Sequence, residues 1–289
     1  LIKLIFWLCL YGILHTYLVY PLVVIILARL LPGRSTPDLI KLPRLSMVVP
    51  AFNEEQVLVE KINNCLALNY PSGKVDFLFG SDGSGDGTNN ILEENAHPPL
   101  RMFLYPTRQG KTVTLNKLFR EATGEIVVCS DANTMYHPNA LLELVRHFRD
   151  PLVGGVCGRL RLSNPEGVTS STGEGLYWRY ENALKAAEGK LQSVISANGA
   201  IFAMRRELIR PLPTNLPIND DLNLTLEILR LGFQVVYEPG AVAQEYTSQD
   251  MEDEFTRKTR IASLNFNALP QIIRLLHPRY GFTALAIFS

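Results

Sequence analysis

The sequence lacks an excess of either charge, because 28 lysines and arginines balance 28 aspartates and glutamates. A nucleic-acid partner would favour a basic protein, so we expect none. Cysteine is scarce as well: there are four, at Cys9, Cys65, Cys129 and Cys157, and no CxxC pair. This spacing argues against a zinc site or a disulfide framework and fits a reducing compartment.

Charged residues are also absent from Leu4 to Ala28, where most side chains are aliphatic or aromatic. About 20 such residues span a bilayer core, so we predict a transmembrane helix at residues 1–31 and a linker at 32–44. A secretory signal would be shorter and would end in a cleavage site, and a buried core helix is the alternative. The basic residues that follow predict that the next domain lies on the cytoplasmic side of the inner cell membrane: Arg29, Arg34, Lys41 and Arg44.

The last segment, residues 268–289, is apolar again. Leu269, Ile272 and Ile273, together with Arg274, predict a short amphipathic helix in the membrane interface. The run from Phe282 to Phe288 is too short to span a membrane alone. We expect it to be the start of a further transmembrane segment.

Residues 45–267 alternate short apolar runs with helical patterns, as a mostly parallel sheet with helices on both faces would. The predicted strands are Leu45–Val49, Val75–Gly80, Arg101–Tyr105 and Glu125–Cys129. The predicted helices are Glu55–Leu66, Thr88–Glu94, Thr112–Ala122 and Ala140–Phe148. In such α/β sheets ligands bind beyond the carboxyl ends of the strands, and polar motifs follow these strands here.

Two motifs follow the first two predicted strands. In Pro50-Ala51-Phe52-Asn53-Glu54-Glu55, Pro50 is expected to end the strand and Asn53 to cap the next helix. A capped helix start alone would also explain this motif. The second motif, Ser81 to Thr88, has three glycines that let a ligand approach, and Asp82 could accept hydrogen bonds from a base or ribose. A calcium loop is disfavoured, because a strand precedes it and its eighth position is Asn89.

Two further motifs follow the next strands. Arg108-Gln109-Gly110-Lys111 opens a helix, where free amides and the ammonium group suit a diphosphate, although a solvated basic turn has the same composition. Ser130-Asp131-Ala132-Asn133 delivers a carboxylate into a loop that could hold Mg²⁺ or Mn²⁺ bridging two phosphates. The alternative is an Asp that caps the helix near Pro138.

The remaining motifs lie near predicted helix starts. Asp220 and Asp221 are favoured at a helix N-terminus, and one of them could be a general base, although simple capping is the better explanation of this motif taken alone. Arg257 and Arg260 lie three apart and share a helix face. That face could bind a diphosphate or contact a membrane, and the residues alone leave both interpretations open.

The order of these motifs resembles the inverting family-2 glycosyltransferases of the GT-A fold. The similarity is to membrane-bound synthases of cellulose, hyaluronan and poly-N-acetylglucosamine, and it covers about Leu45 to Ala268. It runs through VVPAFNEE, SDGSGDGT, RQGKTVTLN, SDANTMY, SANGAIFAMRRE and NDDLNLTLEILRLGFQVVYEP.

The resemblance implies roles for particular residues. Asp221 would be the general base, paired with Asp220, while Asp131 and Asn133 would hold Mg²⁺ or Mn²⁺. The residues expected to bind the nucleotide sugar, by default a UDP-sugar, are Pro50, Asn53, Glu54, Asp82, Lys111, Asp131, Arg257 and Arg260. The acceptor, a saccharide or a lipid-linked sugar, would contact Asn198 and Gly199, with Tyr177 and Trp178 as stacking surfaces. The implied reaction is a metal-assisted direct displacement in polysaccharide or glycolipid synthesis.

Three positions depart from the family pattern. Asn133 replaces the second acid of the Asp-x-Asp motif, and Asp220 replaces a Glu. Residues 257–261 stand where polymerising members have Gln-x-x-Arg-Trp, so a single-sugar transfer onto a lipid-linked acceptor competes with processive synthesis. The alternative function is a membrane-tethered protein that binds nucleotide sugars, or assists assembly, without catalysis.

Overall fold

The computed structural model describes residues 1–30, 41–163, 172–191, 194–246 and 251–288. Its helices are α1 Ile2–Leu14, α2 Tyr20–Leu30, α3 Glu55–Leu66, α4 Thr88–Glu94, α5 Lys111–Glu121, α6 Ala140–Val145, α7 Thr172–Leu191, α8 Asp220–Arg230, α9 Met251–Phe266, α10 Leu269–Leu275 and α11 Phe282–Phe288. Its strands are β1 Leu45–Ala51, β2 Val75–Asp82, β3 Leu100–Tyr105, β4 Ile126–Cys129, β5 Thr134–Tyr136, β6 Val153–Ser163, β7 Phe202–Arg205 and β8 Gln234–Tyr246.

The eight strands form one sheet in the order β3-β2-β1-β4-β7-β6-β8-β5. The half formed by β3, β2, β1 and β4 is parallel throughout. In the other half β7 and β5 run against their neighbours, whereas β6 and β8 are parallel to each other. Six of the eight strands therefore point the same way, which confirms the mixed α/β class and the mostly parallel sheet.

Both faces of the sheet carry helices, because side chains of a strand alternate between its two faces. Leu45, Met47 and Val49 of β1 pack into one core with residues of α3, α4 and α6. Val48 packs into the other core with residues of α5 and α8. The prediction that helices cover both faces is confirmed, and the carboxyl ends of β1 to β4 are left at one open edge.

The first half of the chain follows the predicted elements closely, and α3 and α4 have the predicted bounds. Pro50 is the exception, because it does not end β1 but lies within it, paired with Gly80 of β2. The ladder between β1 and β4 stops at Val48 and Cys129. At position 50, therefore, no backbone N–H is required to pair with β4, and a proline fits. The region predicted as Ala140–Phe148 is α6 followed by a 3₁₀ turn, Arg146–Arg149.

The amino-terminal helix runs from Ile2 to Leu30 and is the only helix in the described parts of the chain that is long and apolar enough to cross a membrane. A π-helical turn at His15–Val19 separates α1 from α2. It lies just before Pro21, which has no N–H to donate to the carbonyl of Tyr17 and would crowd a regular turn. Most side chains of this helix are exposed, so it is not a core helix of the domain that contains the sheet.

The second half of this helix rests on α7. Val24 and Ala28 of α2 pack with Ala187 of α7, and the Tyr20 hydroxyl donates to Glu188 Oε1 at 2.9 Å. Burial raises the pKa of Glu188 to about 7, although the hydrogen bond from Tyr20 lowers it. A carboxyl group with a raised pKa is more easily protonated, and its neutral form suits this apolar contact. The amino-terminal helix is therefore docked on the domain.

The carboxyl-terminal segment forms the short helices α10 and α11. Ile273 of α10 is 63% exposed, and Phe266 at the end of α9 is 69% exposed. Such exposure agrees with an amphipathic helix at residues 269–275. That this segment lies in a membrane interface, or continues into a further span, remains a prediction.

The turn before β4 requires glycine, which gives a test of the parallel half of the sheet. A Cβ atom added at Gly124 would lie 2.5 Å from the backbone nitrogen of Ser46 in β1, whereas one at Gly73 would meet nothing within 4 Å. We expect Gly124→Ala to lower the free energy of unfolding by about 1–3 kcal/mol, because two strands must separate to make room. Gly73→Ala, measured by the same denaturant titration, should change it by less than about 0.5 kcal/mol. Equal free energies of unfolding for Gly124→Ala and Gly73→Ala would contradict the close approach of Gly124 to Ser46.

Candidate active site

The loops after β1 and β2 hold each other in place. Asn53 has a φ of 56° and its Oδ1 accepts the N–H of Gly85 at 2.9 Å, so it does not cap α3 as predicted. The first amides of α3 instead find acceptors in the second loop, where Glu54 N donates to Thr88 Oγ1 at 2.8 Å and Glu55 N donates to Asp86 Oδ2 at 3.2 Å. The two motifs form one polar surface, which explains why their local capping signals were misleading.

Asp82 joins this surface to the next loop. Its Oδ1 accepts the N–H of Gln109 at 2.8 Å and its Oδ2 accepts the N–H of Gly110 at 2.7 Å. The guanidinium group of Arg108 lies 3.9 Å from the ring centroid of Phe52, which adds a cation–π contact across the same loops. Asp82 therefore fixes the backbone immediately before Lys111, the first residue of α5.

Lys111 and Asp131 form the central ion pair of the site. Lys111 Nζ lies 2.5 Å from Asp131 Oδ1, and the two side chains are 49% and 32% exposed. Burial raises the pKa of Asp131, but Lys111, with smaller effects from Lys61 and Arg260, outweighs it and the pKa is lowered. Burial lowers the pKa of Lys111, yet Asp131, Asp220 and Asp221 raise it above its usual value. The loops after β3 and β4 are thus joined by opposite charges.

Asp220 and Asp221 complete the charged cluster from α8. Thr112 Oγ1 donates to Asp220 Oδ1 at 2.6 Å, and Gly199 N donates to Asp221 Oδ2 at 3.0 Å. The pKa of both carboxyl groups is raised, mainly by burial. A Cβ atom at Gly199 would lie 3.1 Å from Cβ of Asp221, so glycine allows this close approach. A carboxylate with a raised pKa is a better proton acceptor.

Asn133 lies on the other side of the Asp131 loop. Its Nδ2 donates to Oε1 of Glu245 in β8 at 3.2 Å. Burial raises the pKa of Glu54, and Asp131, Asp86 and Glu245 raise it further, which places Glu54 in the same negative region. Glu245 was not predicted as a site residue from the sequence, because it reaches the site only through the pairing of β8 with Thr134 of β5.

The structure brings together most of the predicted site residues. Asn53, Glu54, Asp82, Lys111, Asp131, Asn133, Asp220 and Asp221 surround one edge of the sheet, with Asn198 and Gly199 beside Asp221. Arg260 acts electrostatically on Asp131 from α9. The side chains of Arg257, Tyr177 and Trp178 lie outside the described residues. A cavity of about 490 Å³ lies elsewhere, where β4 begins and β7 ends, lined by Glu125, Ile126 and Arg205 among others.

Comparison with known proteins shows the family to which the chain belongs. Residues 43–263 match the family described as glycosyltransferase-like family 2. The chain is 25% identical over 268 residues to the probable glycosyltransferase YdaM of Bacillus subtilis, which covers 86% of the chain and 62% of YdaM. It is 21% identical over 203 residues to the poly-beta-1,6-N-acetyl-D-glucosamine synthase of Staphylococcus epidermidis, covering 68% of the chain and 48% of that protein. The chain thus spans less than two thirds of these relatives.

A solved structure extends the similarity to the whole described fold. The mannosyltransferase PcManGT of Pyrobaculum calidifontis, in complex with GDP-Man and Mn²⁺, superposes with a TM-score of 0.75 at 25% identity, covering 96% of this chain and 84% of that one. The S. aureus protein TarS in complex with UDP-GlcNAc has a TM-score of 0.53 at 17% identity, covering 72% and 59%, and shares the fold. This chain belongs to glycosyltransferase-like family 2, a class of transferases with the GT-A fold.

The two hydrogen bonds of Asp82 predict how the Lys111 loop is held. In Asp82→Asn an amide oxygen and an NH₂ group replace the two acceptors, so one of the N–H groups of Gln109 and Gly110 loses its partner. We expect lower thermal stability and about tenfold weaker binding of a nucleoside diphosphate, measured by calorimetry. Asp76→Asn, at the other end of β2, is the control and should leave nucleotide affinity unchanged. An equal loss in both variants would contradict a local role for Asp82.

Proposed function

We propose that the chain is a membrane-anchored transferase that moves a sugar from a nucleotide sugar to a saccharide or lipid-linked acceptor, with inversion at the anomeric carbon. The convergence of Lys111, Asp131, Asp220 and Asp221 at one edge of the sheet carries this proposal. The ammonium group of Lys111 lies near three carboxylates there. The transfer of a sugar away from a diphosphate needs positive charge for the diphosphate and a carboxylate as the base. The named activities of the relatives above support the same class.

The donor is proposed to lie across the loops after β1, β2 and β3. Each oxygen of Asp82 accepts one backbone N–H and keeps a free lone pair, which suits a contact to the nucleobase or ribose. Lys111 and the exposed guanidinium of Arg260 suit the diphosphate, to which Arg257 of the same helix is assigned by its spacing alone. Pro50, Asn53 and Glu54 line the same loops.

The residues present fit a divalent cation that binds together with the diphosphate. Asp131 and Asn133 supply hard oxygen atoms, and Mg²⁺ or Mn²⁺ commonly takes one or two carboxylates and completes its shell with substrate phosphates and water. Within the described ranges no three histidine, cysteine or acidic residues form a metal cluster, so phosphate oxygens would be needed. When bound, the cation would neutralise charge on the departing diphosphate.

Asp221 is proposed as the general base. Its carboxylate would accept the proton of the acceptor hydroxyl, whose oxygen then forms a bond to the anomeric carbon. The bond between that carbon and the diphosphate oxygen breaks, and the electron pair leaves with the nucleoside diphosphate. The raised pKa of Asp221 favours this proton transfer, and Gly199 N holds the carboxylate in place. Asn198 and Gly199 would line the acceptor side.

The membrane location is proposed from the amino-terminal helix. Ile2–Leu30 is 29 residues long, enough to cross a bilayer core, and its exposed side chains include Phe6, Trp7 and Leu8. The basic residues after Ala28 support a cytoplasmic domain. A reaction at the membrane surface suits a lipid-linked acceptor.

Replacing the proposed base should separate chemistry from binding. We expect Asp221→Asn to lower kcat about 10²–10⁴-fold, because an amide accepts no proton, while nucleotide affinity stays within about threefold. Asp220→Asn is the matched comparison, because Asp220 is the neighbouring carboxylate and accepts a side-chain hydroxyl, whereas Asp221 accepts backbone N–H groups. Release of nucleoside diphosphate and of product is measured for both variants. The reverse ranking would assign the base to Asp220.

Replacing the proposed metal residue should affect the metal-dependent part of binding. We expect Asp131→Ala to abolish most of the gain in nucleotide affinity that Mn²⁺ or Mg²⁺ provides, because it removes the one carboxylate of the motif. Calorimetric titration with a panel of nucleoside diphosphates and nucleotide sugars, with and without metal, measures this and identifies the donor. If metal did not change the nucleotide affinity of either the wild type or Asp131→Ala, the assignment would be contradicted. Nucleotide binding without sugar transfer would indicate a binding protein.

A further inference from the structure

Lys61 of α3 is a buried cation behind the candidate site. Its relative exposure is 0%, and it lies on the same helix face as Leu58 and Cys65, both in the core. Burying an ammonium group is costly unless it is well hydrogen-bonded, and an aliphatic side chain would fill such a position at less cost. Its presence therefore requires an explanation from its contacts.

The contacts of Lys61 are to the two ends of one loop. Its Nζ donates to Ser130 Oγ at 2.7 Å and to the backbone carbonyl of Thr134. It also lies 4.9 Å from the centroid of the Tyr136 ring. Between the bonded ends stand Asp131 and Asn133, the residues assigned above to the diphosphate and its metal.

No carboxylate is hydrogen-bonded to Lys61 among the contacts of the described residues. The charge of Lys61 interacts with Cys65 on the same helix and with Asp131, which lies in the loop that Lys61 closes. The neighbouring Asn64 holds β5 separately, because its side chain pairs with the backbone N–H and carbonyl of Tyr136. Both hydrogen bonds of the Lys61 ammonium group are thus to the Ser130–Thr134 loop.

We infer that Lys61 is a positioning residue for donor binding, which ties both ends of the Ser130–Thr134 loop to α3 and so holds Asp131 and Asn133 where the diphosphate and its metal bind. This inference rests on the proposed function. It adds a residue from the protein interior to a site otherwise built from loops and helix residues at one edge of the sheet. Groups that orient metal ligands commonly change metal affinity or activity 10- to 100-fold when they are removed.

The test compares four forms of the full chain in detergent: wild type, Lys61→Met, Ser130→Ala and Cys65→Ala. Lys61→Met keeps a long side chain without the hydrogen bonds, and Ser130→Ala removes one acceptor while keeping the charge. Cys65→Ala is the control, because it shortens a core side chain one turn away on the same helix. Melting temperature and the Kd for UDP and GDP are measured for each, with Mn²⁺ and with a chelator.

We expect Lys61→Met to raise the Kd measured with Mn²⁺ by about 10- to 100-fold and the Kd in chelator by less, so that the gain from Mn²⁺ shrinks. Ser130→Ala should raise the Kd measured with Mn²⁺ by roughly fivefold. This variant is the deciding test if Lys61→Met does not fold. In steady-state assays the loss should appear in the KM for the donor more than in kcat. Cys65→Ala should lower the melting temperature and leave the gain from Mn²⁺ unchanged.

A gain from Mn²⁺ that is unchanged or larger in folded Lys61→Met or Ser130→Ala would overturn the inference. Lys61 would then be only a core residue, or would act through its charge rather than by position. The inference fails equally if Cys65→Ala loses as much of the gain as Lys61→Met does. If the wild-type chain bound no nucleotide of the panel, the proposed function would fail first and the inference with it.

Discussion

The ion pair between Lys111 and Asp131 is the interaction on which the arrangement of the site depends. It joins the start of α5 to the loop after β4, and Asp82 holds the backbone just before Lys111. Three carboxylates, those of Asp131, Asp220 and Asp221, act on this one ammonium group. An incoming diphosphate adds further negative charge, so positive charge must enter with it. The same electrostatic balance supports the proposal that a divalent cation binds here together with the diphosphate.

Much of this site could be predicted because parallel strands bring their carboxyl ends to one edge. The apolar runs of β1 to β4 were visible in the sequence, and each is followed by a polar loop. Helix α3 could be placed at Glu55–Leu66 because its apolar spacing is regular and two acids open it. Distant motifs therefore met in space as the topology required.

Other features depend on partners that are distant in the chain. Asn53 was expected to cap α3, but a left-handed backbone turns its side chain to Gly85, and Asp86 and Thr88 of the next loop serve the helix instead. Glu245 reaches the site through the register of β5 and β8, which no local pattern encodes. The reversed strands β5 and β7 were unpredicted for the same reason. Lys61 did leave a signal, because helical spacing places it with Leu58 and Cys65.

The docking of α2 on α7 has a mechanical consequence. The Tyr20–Glu188 hydrogen bond and the packing of Val24 and Ala28 leave little freedom between the apolar helix and the domain. If the apolar helix crosses a membrane, as proposed above, a domain held in this way would not swing at the end of a tether, and the tilt of the helix would set the height and orientation of the charged edge above the bilayer. Acceptors whose reactive hydroxyl projects to that height would be selected by geometry alone, before any contact with the protein discriminates among them.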